Sequence, residues 1–223
     1  RSTMPPLLAQ LLTILLTLGV LCAIAAGADA TETTGDAAPP ESAPAADAPE
    51  IITVGGEPEA ELTVVASGGD PIYVPGRARV AEALPAGYPR PTAPGAIEIK
   101  SYPSVRRAEI SGQSDSDFRM MGRKTSRAFW PLFKHIQNRG IAMTAPVEMD
   151  YPGMTATDDP DAWSMSFLYR TPELGDAGDD GAIEVYDTEP VTVVSIGVRG
   201  RLDEPRLRAA LDTLERWLGA SDE

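Results

Sequence analysis

The sequence predicts an α+β fold built from two related halves, preceded by an N-terminal region that does not belong to it. Three observations support this prediction. Segments with strand-like alternation surround one helical segment, and a second helical segment follows a further set of strands. The sequence contains no repeat of fixed period of the kind that would indicate a solenoid. The 43% hydrophobic content is sufficient for a core, which excludes a wholly disordered chain.

Charge and cysteine content exclude several classes of function. The 223 residues include 33 acidic and 19 basic side chains, a formal charge of −14, which argues against nucleic-acid binding. A single Cys and a single His exclude a disulfide framework and a Cys/His zinc site. No Gly-rich phosphate loop, G-x-S-x-G elbow or HExxH helix is present, so we expect a binding protein and not an enzyme.

The first 30 residues have the pattern of an export signal. Residues 5–26 contain no charge, and residues 28–30 (ADA) fit the small-x-small cleavage pattern of a secretory signal peptide. The alternative is an uncleaved membrane anchor, because the apolar run approaches the ~20 residues that span a bilayer. We favour cleavage and expect an exported protein, periplasmic or extracellular, with no cysteine after residue 30.

Residues 31–76 are predicted to form an acidic tether rich in Pro and Ala. The stretch 31–50 has no aromatic residue and no periodicity, so it cannot bury enough apolar surface to offset its chain entropy. Two short segments within 51–65 have strand character and either form a hairpin or lie loosely over the domain. Residues 77–223 hold 23 acidic and 18 basic side chains, so the globular part has a net charge of about −5.

The globular domain is placed at 95–223, and its strands are predicted from alternation. Residues 97–102 and 105–110 indicate two strands or one bent strand. Residues 141–150 are expected to form a strand at a sheet edge or bulge because they include Pro146. Further strands are expected at 163–169, 183–187 and 191–199, with an acidic, Gly-rich loop at 173–181.

Two helices are predicted in this domain. Apolar residues between 118 and 136 share one helical face, and Pro131 requires either a kink or a helix that begins near Ala128. The helix is expected to end at 138–140 (NRG). The second helix is expected at 206–218, where five apolar residues share a face.

Four segments carry a family resemblance: residues 97–103 (IEIKSYP), 129–136, 141–147 and 163–167. They are similar to segments of the SOUL haem-binding family, and the first of them resembles its opening strand. Residues 129–136 (FWPLFKHI) and 141–147 (IAMTAPV) are similar to the family's helix with an LF-x-Y-I core and its I-x-MTAPV strand. Residues 163–167 (WSMSF) are similar to its W-x-M-x-F strand. The resemblance implies a distorted antiparallel β-barrel flanked by two helices and built as a pseudo-repeat. Family members continue with two more strands, so the barrel is expected to lack its last strands here.

The resemblance also implies that haem or a porphyrin binds on an apolar surface beside the first helix. The positions that match the family's site are Phe129, Phe133 and Lys134, with Arg127 nearby. A porphyrin is a flat apolar plate with two anionic propionates, so aromatic contacts and cations at its rim suit it. A basic group in this region either receives the propionates or is a solvated helix face. Its members are Arg119, Arg123, Lys124, Arg127, Lys134 and Arg139.

His135 and Met143 complete the candidate site. His135 is the one imidazole of the chain and therefore the one candidate histidine ligand to haem iron. Its position off the centre of the apolar helix face favours a surface or pocket-rim location instead. Met143 is a candidate contact to the ring or the iron, but alternating strand methionines usually pack in a core. Phe129 and Phe133 are as consistent with core packing as with lining a ligand.

Two other functions are considered. The same architecture resembles the sensor domains of some bacterial regulators, which bind bulky apolar cations, and some relatives hydrolyse small substrates. A buried acidic residue without a cation partner would favour this class, and Glu148 is the best candidate. Glu148 and Asp150 share a strand face that is expected to be open to solvent. The third possibility is a structural envelope protein with a vestigial pocket.

Overall fold

The structure is a computed structural model that describes residues 49–59, 62–67, 70–75, 82–113, 121–200 and 203–221. The expected signal peptide or anchor at 1–30 and the tether up to residue 48 lie outside the described residues. Within these described ranges, no helix is both long enough and apolar enough to cross a bilayer.

The described residues form ten strands and two helices, which confirms the α+β class. The strands make three antiparallel sheets with the orders β6-β7-β5-β9-β8, β1-β4-β10 and β2-β3. Their bounds, in chain order, are β1 Ile51–Gly56, β2 Leu62–Ser67, β3 Asp70–Pro75, β4 Ala96–Tyr102, β5 Arg106–Gln113, α1 Met121–Asn138, β6 Val147–Asp150, β7 Ala162–Leu168, β8 Gly178–Asp180, β9 Ile183–Asp187, β10 Val191–Ile196 and α2 Glu204–Ser221.

The main core lies between α1 and one face of the five-stranded sheet. Alternate residues of a strand point to opposite faces, and the apolar set of β5, β6, β7 and β9 points to the helix. Ala128, Leu132 and Ile136 of α1 fill this interface, and Leu132 has no exposed surface. The opposite face of the same sheet carries mostly polar side chains, which are described with the candidate site below.

The three-stranded sheet is covered by α2. Strand β4 is central and pairs with β10 on one side and β1 on the other. Gly55 of β1 is needed for close approach, because a Cβ there would lie 2.8 Å from Nε1 of Trp217 on α2. A second apolar cluster contains Tyr102 of β4, Val193 of β10 and Leu168 of β7, so it joins the two larger sheets.

The N-terminal boundary of the fold differs from the sequence prediction. Residues 51–56 are not tether but strand β1, which pairs with β4 from Ile51 opposite Lys100 to Gly56 opposite Ala96. The hairpin considered for 51–65 is therefore wrong: its first segment pairs with β4, and its second segment becomes β2, paired with β3. The residue pattern of a six-residue strand such as β1 does not show which distant strand it pairs with.

Four further features differ from the prediction. Helix α1 begins at Met121 and continues through Pro131, so the start near Ala128 is wrong. Residues 141–146 have no regular structure, and only 147–150 form the expected strand, after a cis peptide bond at Pro146. Strand β8 lies inside the segment predicted as a loop. The described strands form separate sheets that do not close into the barrel that the family resemblance implies.

Leu132→Ala is expected to lower the free energy of unfolding by about 2–5 kcal/mol, because it opens a cavity at the centre of the α1 interface. Urea unfolding followed by circular dichroism measures the change. Gln137→Ala, at an exposed position of the same helix, is the matched control and should change stability by less than about 0.5 kcal/mol. Equal losses in both variants would contradict the proposed packing.

Candidate functional site

Helix α1 presents an exposed stripe that combines one large aromatic side chain with two cations. Arg127, Trp130 and Lys134 have the spacing i, i+3 and i+7, which places them on one side of a helix. All three are exposed, and 58% of Trp130 is accessible to solvent. We call these three residues the aromatic–basic face. Trp130 is two positions from buried Leu132, or about 200° around the helix, so it points away from the core.

Two phenylalanines border this face and connect it to the core. Phe129 and Phe133 are partly buried, and their rings stack with centroids 5.9 Å apart and an interplanar angle of 12°. Trp130 meets each of them edge-on, at 5.5 Å and 5.9 Å. Phe129 also contacts Phe167 of β7 at 5.1 Å. The phenylalanines therefore pack on the core with one side and support Trp130 with the other.

The cations of the aromatic–basic face have no ion-pair partners among the described residues, whereas those of α2 do. Arg127 and Lys134 form no salt bridge within the described part of the chain. On α2, Arg208 pairs with Glu204 and Asp159, and Arg216 pairs with Asp212. Of the described cations on the two helices, Arg127 and Lys134 are therefore the two without an ion-pair partner among the described residues. Arg119 and the side chains of Arg123 and Lys124 lie outside the described residues.

His135 is buried, which makes the predicted surface or pocket-rim position wrong. Only 3% of the residue is exposed. Its Nδ1 lies 2.8 Å from Oδ2 of Asp180 on β8, and its Nε2 lies 2.9 Å from the hydroxyl of Tyr169. Arg139 also donates to Asp180, at 2.8 Å. Because both ring nitrogens have protein partners, coordination of iron by His135 would require one of these hydrogen bonds to break.

The predicted site residues therefore separate into two groups. Arg127, Phe129, Phe133 and Lys134 lie together on or beside the aromatic–basic face. Met143 is partly buried and packs against the main core, and His135 is directed to β8. The sequence analysis did not single out Trp130, which the structure shows to be exposed on this face. Its spacing from Arg127 and Lys134 was the available signal, because it places Trp130 opposite the apolar face.

Arg107 of β5 is the centre of a second polar cluster, on the sheet face opposite α1. Its Nη1 lies 3.3 Å from both Glu148 and Asp150, and its Nη2 lies 3.1 Å from Glu109. The guanidinium also donates to the Tyr186 hydroxyl at 2.6 Å and 2.8 Å. We call this set the interior network. Its three carboxylates share one guanidinium, so the network carries excess negative charge when all are ionised.

Glu148 is the most buried carboxylate of the interior network. Only 3% of it is exposed, so the expected solvent-facing position is wrong. It accepts a hydrogen bond from the Tyr88 hydroxyl on one oxygen and from Arg107 on the other. Burial raises the pKa of Glu148 to about 7, and the Tyr88 hydrogen bond and the Arg107 charge oppose this shift only in part. Burial likewise raises the pKa of Asp150.

A third charged group lies on β4. Lys100 is 1% exposed, and its Nζ donates to the Arg90 carbonyl at 2.6 Å and lies 3.2 Å from Glu98. Arg90 pairs with the other Glu98 oxygen at 2.9 Å. Burial lowers the pKa of Lys100 to about 8, although the Glu98 charge opposes the shift. Because every partner is supplied by the protein and Lys100 is enclosed, we assign this group to the structure of the sheet.

A cavity of about 510 Å³ lies beyond the end of α1, away from the aromatic–basic face. It is bordered by Arg139, Ile141 and Val185 and by residues 174–179, which lead into and include the start of β8. Among the residues considered for ligand binding in the sequence, Arg139 of the basic group lines this cavity, and Arg127, Phe129, Phe133, Lys134, His135 and Met143 do not. Within the described ranges, no group of three or more His, Cys, Asp or Glu side chains is arranged to hold a metal ion.

The comparisons with known proteins identify the family. The model of the family described as SOUL heme-binding protein matches residues 88–223, which is more than half of the chain. The chain therefore belongs to the SOUL heme-binding protein family, as the sequence resemblance predicted. No curated protein and no solved structure matches the chain significantly. The family suggests haem or another tetrapyrrole as ligand.

Glu148→Gln is expected to remove the pH dependence of stability that this carboxyl contributes. Its pKa rises from about 4.5 to about 7 on folding, so its contribution is fully present below pH 4.5 and is lost as the pH rises to 7. The variant should gain stability relative to wild type across this window, on the order of 3 kcal/mol. Urea unfolding between about pH 5 and pH 8 measures the difference.

Glu189→Gln, on an exposed loop, is the control for this experiment. It removes one acidic side chain from an exposed position, and its difference from wild type is the reference for Glu148→Gln over the same pH range. A constant difference between wild type and Glu148→Gln at all pH values would show that the carboxyl is not perturbed as described.

Proposed function

We propose that this chain is an exported haem- or porphyrin-binding protein that acts as a tetrapyrrole carrier or buffer and not as an enzyme. The ligand lies against the aromatic–basic face of α1 and its two bordering phenylalanines. Membership of the family supports a tetrapyrrole ligand. The position on α1 is supported by the residues that the structure brings together there.

The observation that carries the proposal is the exposed Trp130 between two cations without ion-pair partners among the described residues. The flat face of a tetrapyrrole is apolar, and stacking on an indole ring suits it. Its propionates are anionic and need cations near the edge of the ring. Arg127 and Lys134 are seven residues apart, or about 10 Å along the helix axis, so they can engage two carboxylates on either side of Trp130.

Export is proposed on the sequence of the N-terminal region. The uncharged run 5–26 and the following Ala-rich segment have the features of a cleaved signal peptide. An uncleaved run would instead tether the protein to the membrane on the same side. Cleavage after residue 30 would leave a chain without cysteine, which suits an oxidising compartment.

The burial of Glu148 gives partial support to the alternative of an apolar-cation-binding or hydrolysing domain. Glu148 is the buried acidic residue that this class requires, but its carboxylate already has hydrogen-bond partners within the protein. Tyr88 and Arg107 occupy its two oxygens, so a cationic ligand would have to displace Arg107. We therefore prefer the tetrapyrrole-binding function. A structural envelope protein would lack ligand binding altogether, and the following titration distinguishes it.

Hemin titration of the purified full chain is expected to shift the Soret band with micromolar affinity. Trp130→Ala and Lys134→Glu should each weaken binding by about three- to tenfold, because each removes a contact worth about 0.5–1.5 kcal/mol. Arg216→Glu is the control, since it reverses an exposed charge on α2. Absence of both a Soret shift and fluorescence quenching at micromolar hemin would refute the proposed function.

His135→Gln tests the role of the histidine. Loss of the imidazole disturbs the hydrogen bonds to Asp180 and Tyr169, so we expect stability to fall by about 1–3 kcal/mol. Hemin affinity should stay within about twofold of wild type, because the ring nitrogens are occupied by protein groups. A large change in the Soret position of the complex, in a variant with a normal circular dichroism spectrum, would instead identify His135 as an iron ligand.

A further inference from the structure

The three residues of the aromatic–basic face are exposed on the outside of α1. Trp130 is on the outside of α1, and the described cavity lies elsewhere, beyond the end of that helix. Ligand sites usually enclose most of the ligand surface, but a flat ring stacked on Trp130 would have its second face uncovered. That the second face of the ring is uncovered rests on the proposed function. The charge and the exposure of the aromatic–basic face are independent of it.

The charge of α1 is unlike that of the rest of the domain. Its 18 residues include four basic side chains and no acidic one, whereas residues 77–223 have a net charge of about −5. Helix α2, also of 18 residues, has three acidic and three basic side chains. One helix of a net acidic domain is therefore specifically positive. Such a face attracts an anionic partner and repels a second copy of itself.

The exposed aromatic residue specifies what kind of anionic partner fits. Trp130 is the most exposed of the large hydrophobic side chains that the structure describes. Tryptophan prefers the boundary between water and lipid, where its ring is buried and its N–H stays near the headgroups. An amphipathic helix that binds in the plane of a membrane combines such aromatic residues with Lys and Arg. Arg127 and Lys134 flank Trp130 with this arrangement.

We propose that the aromatic–basic face docks on an anionic lipid surface. Helix α1 lies parallel to the membrane plane, Trp130 enters the headgroup region, and Arg127 and Lys134 contact lipid phosphates on either side. A tetrapyrrole held on the same face would then have its open side covered by lipid. The aromatic–basic face thus suits a protein that takes an apolar ligand from an anionic bilayer or delivers one to it. This role goes beyond ligand binding by the protein alone.

The experiment measures Trp130 directly, because residues 5–26 can attach the full chain to vesicles by themselves. The chain has three tryptophans, so the emission of wild type minus that of Trp130→Phe isolates Trp130. Vesicles of brominated phosphatidylcholine with phosphatidylglycerol are added without hemin. We expect blue-shifted, quenched Trp130 emission that weakens at high salt and with vesicles lacking phosphatidylglycerol.

The double variant Arg127→Gln/Lys134→Gln should weaken docking of the helix about 30-fold, because each basic residue contributes about 1 kcal/mol at an anionic surface. Arg206→Gln/Arg216→Gln, with the same loss of charge on α2, is the matched control and should dock like wild type. Circular dichroism confirms that both variants are folded.

Three results would overturn the proposal. The first is that Trp130 emission is not quenched on vesicles that carry the protein. The second is that quenching is equal on neutral and anionic vesicles. The third is that Trp130 emission changes with protein concentration in the absence of lipid. The last result would indicate self-association. Hemin binding in lipid-free buffer is measured separately, so docking without hemin binding refutes only the proposed function, and hemin binding without docking refutes only the lipid surface.

Discussion

The packing of Leu132 and Ile136 against the five-stranded sheet fixes the orientation of α1 and, with it, the surface of the protein. An α-helix has one rotational position in which Ala128, Leu132 and Ile136 are all buried. In that position Trp130 is directed to the opposite side. The core therefore determines which side chains of α1 are available to a ligand, although its own residues are almost entirely buried.

The charged residues on the two sides of the five-stranded sheet differ in burial. On one face, the carboxylates of the interior network are enclosed, and Arg107 and the tyrosines Tyr88 and Tyr186 supply their partners. Burial of ions requires such pairing, because each loses its hydration. Beyond the other face, Arg127 and Lys134 of α1 are exposed and form no ion pair with the described residues. These two charges are therefore available to other molecules.

The sequence predicted the elements whose two faces differ in burial. Strands β7 and β9 and helix α2 were predicted from alternation and helical spacing, and the prediction that Phe129 and Phe133 lie on the apolar side of the first helix is confirmed by their packing against the core. Features that depend on distant partners were not predicted. The burial of His135 depends on Asp180 and Tyr169, 45 and 34 residues away, and the interior network likewise joins separate strands through Arg107. Local patterns contain no information on such pairings.

The position of β1 has a consequence for the limits of the domain. The family match begins at residue 88, yet Ile51–Gly56 supplies one edge of the sheet formed by β4 and β10. A chain shortened to residue 88 would leave the backbone of β4 unpaired along that side and remove the surface under Trp217. An uncapped strand with Ile97 and Ile99 is a template for intermolecular pairing and aggregation. The smallest soluble fragment of this protein should therefore begin before residue 51.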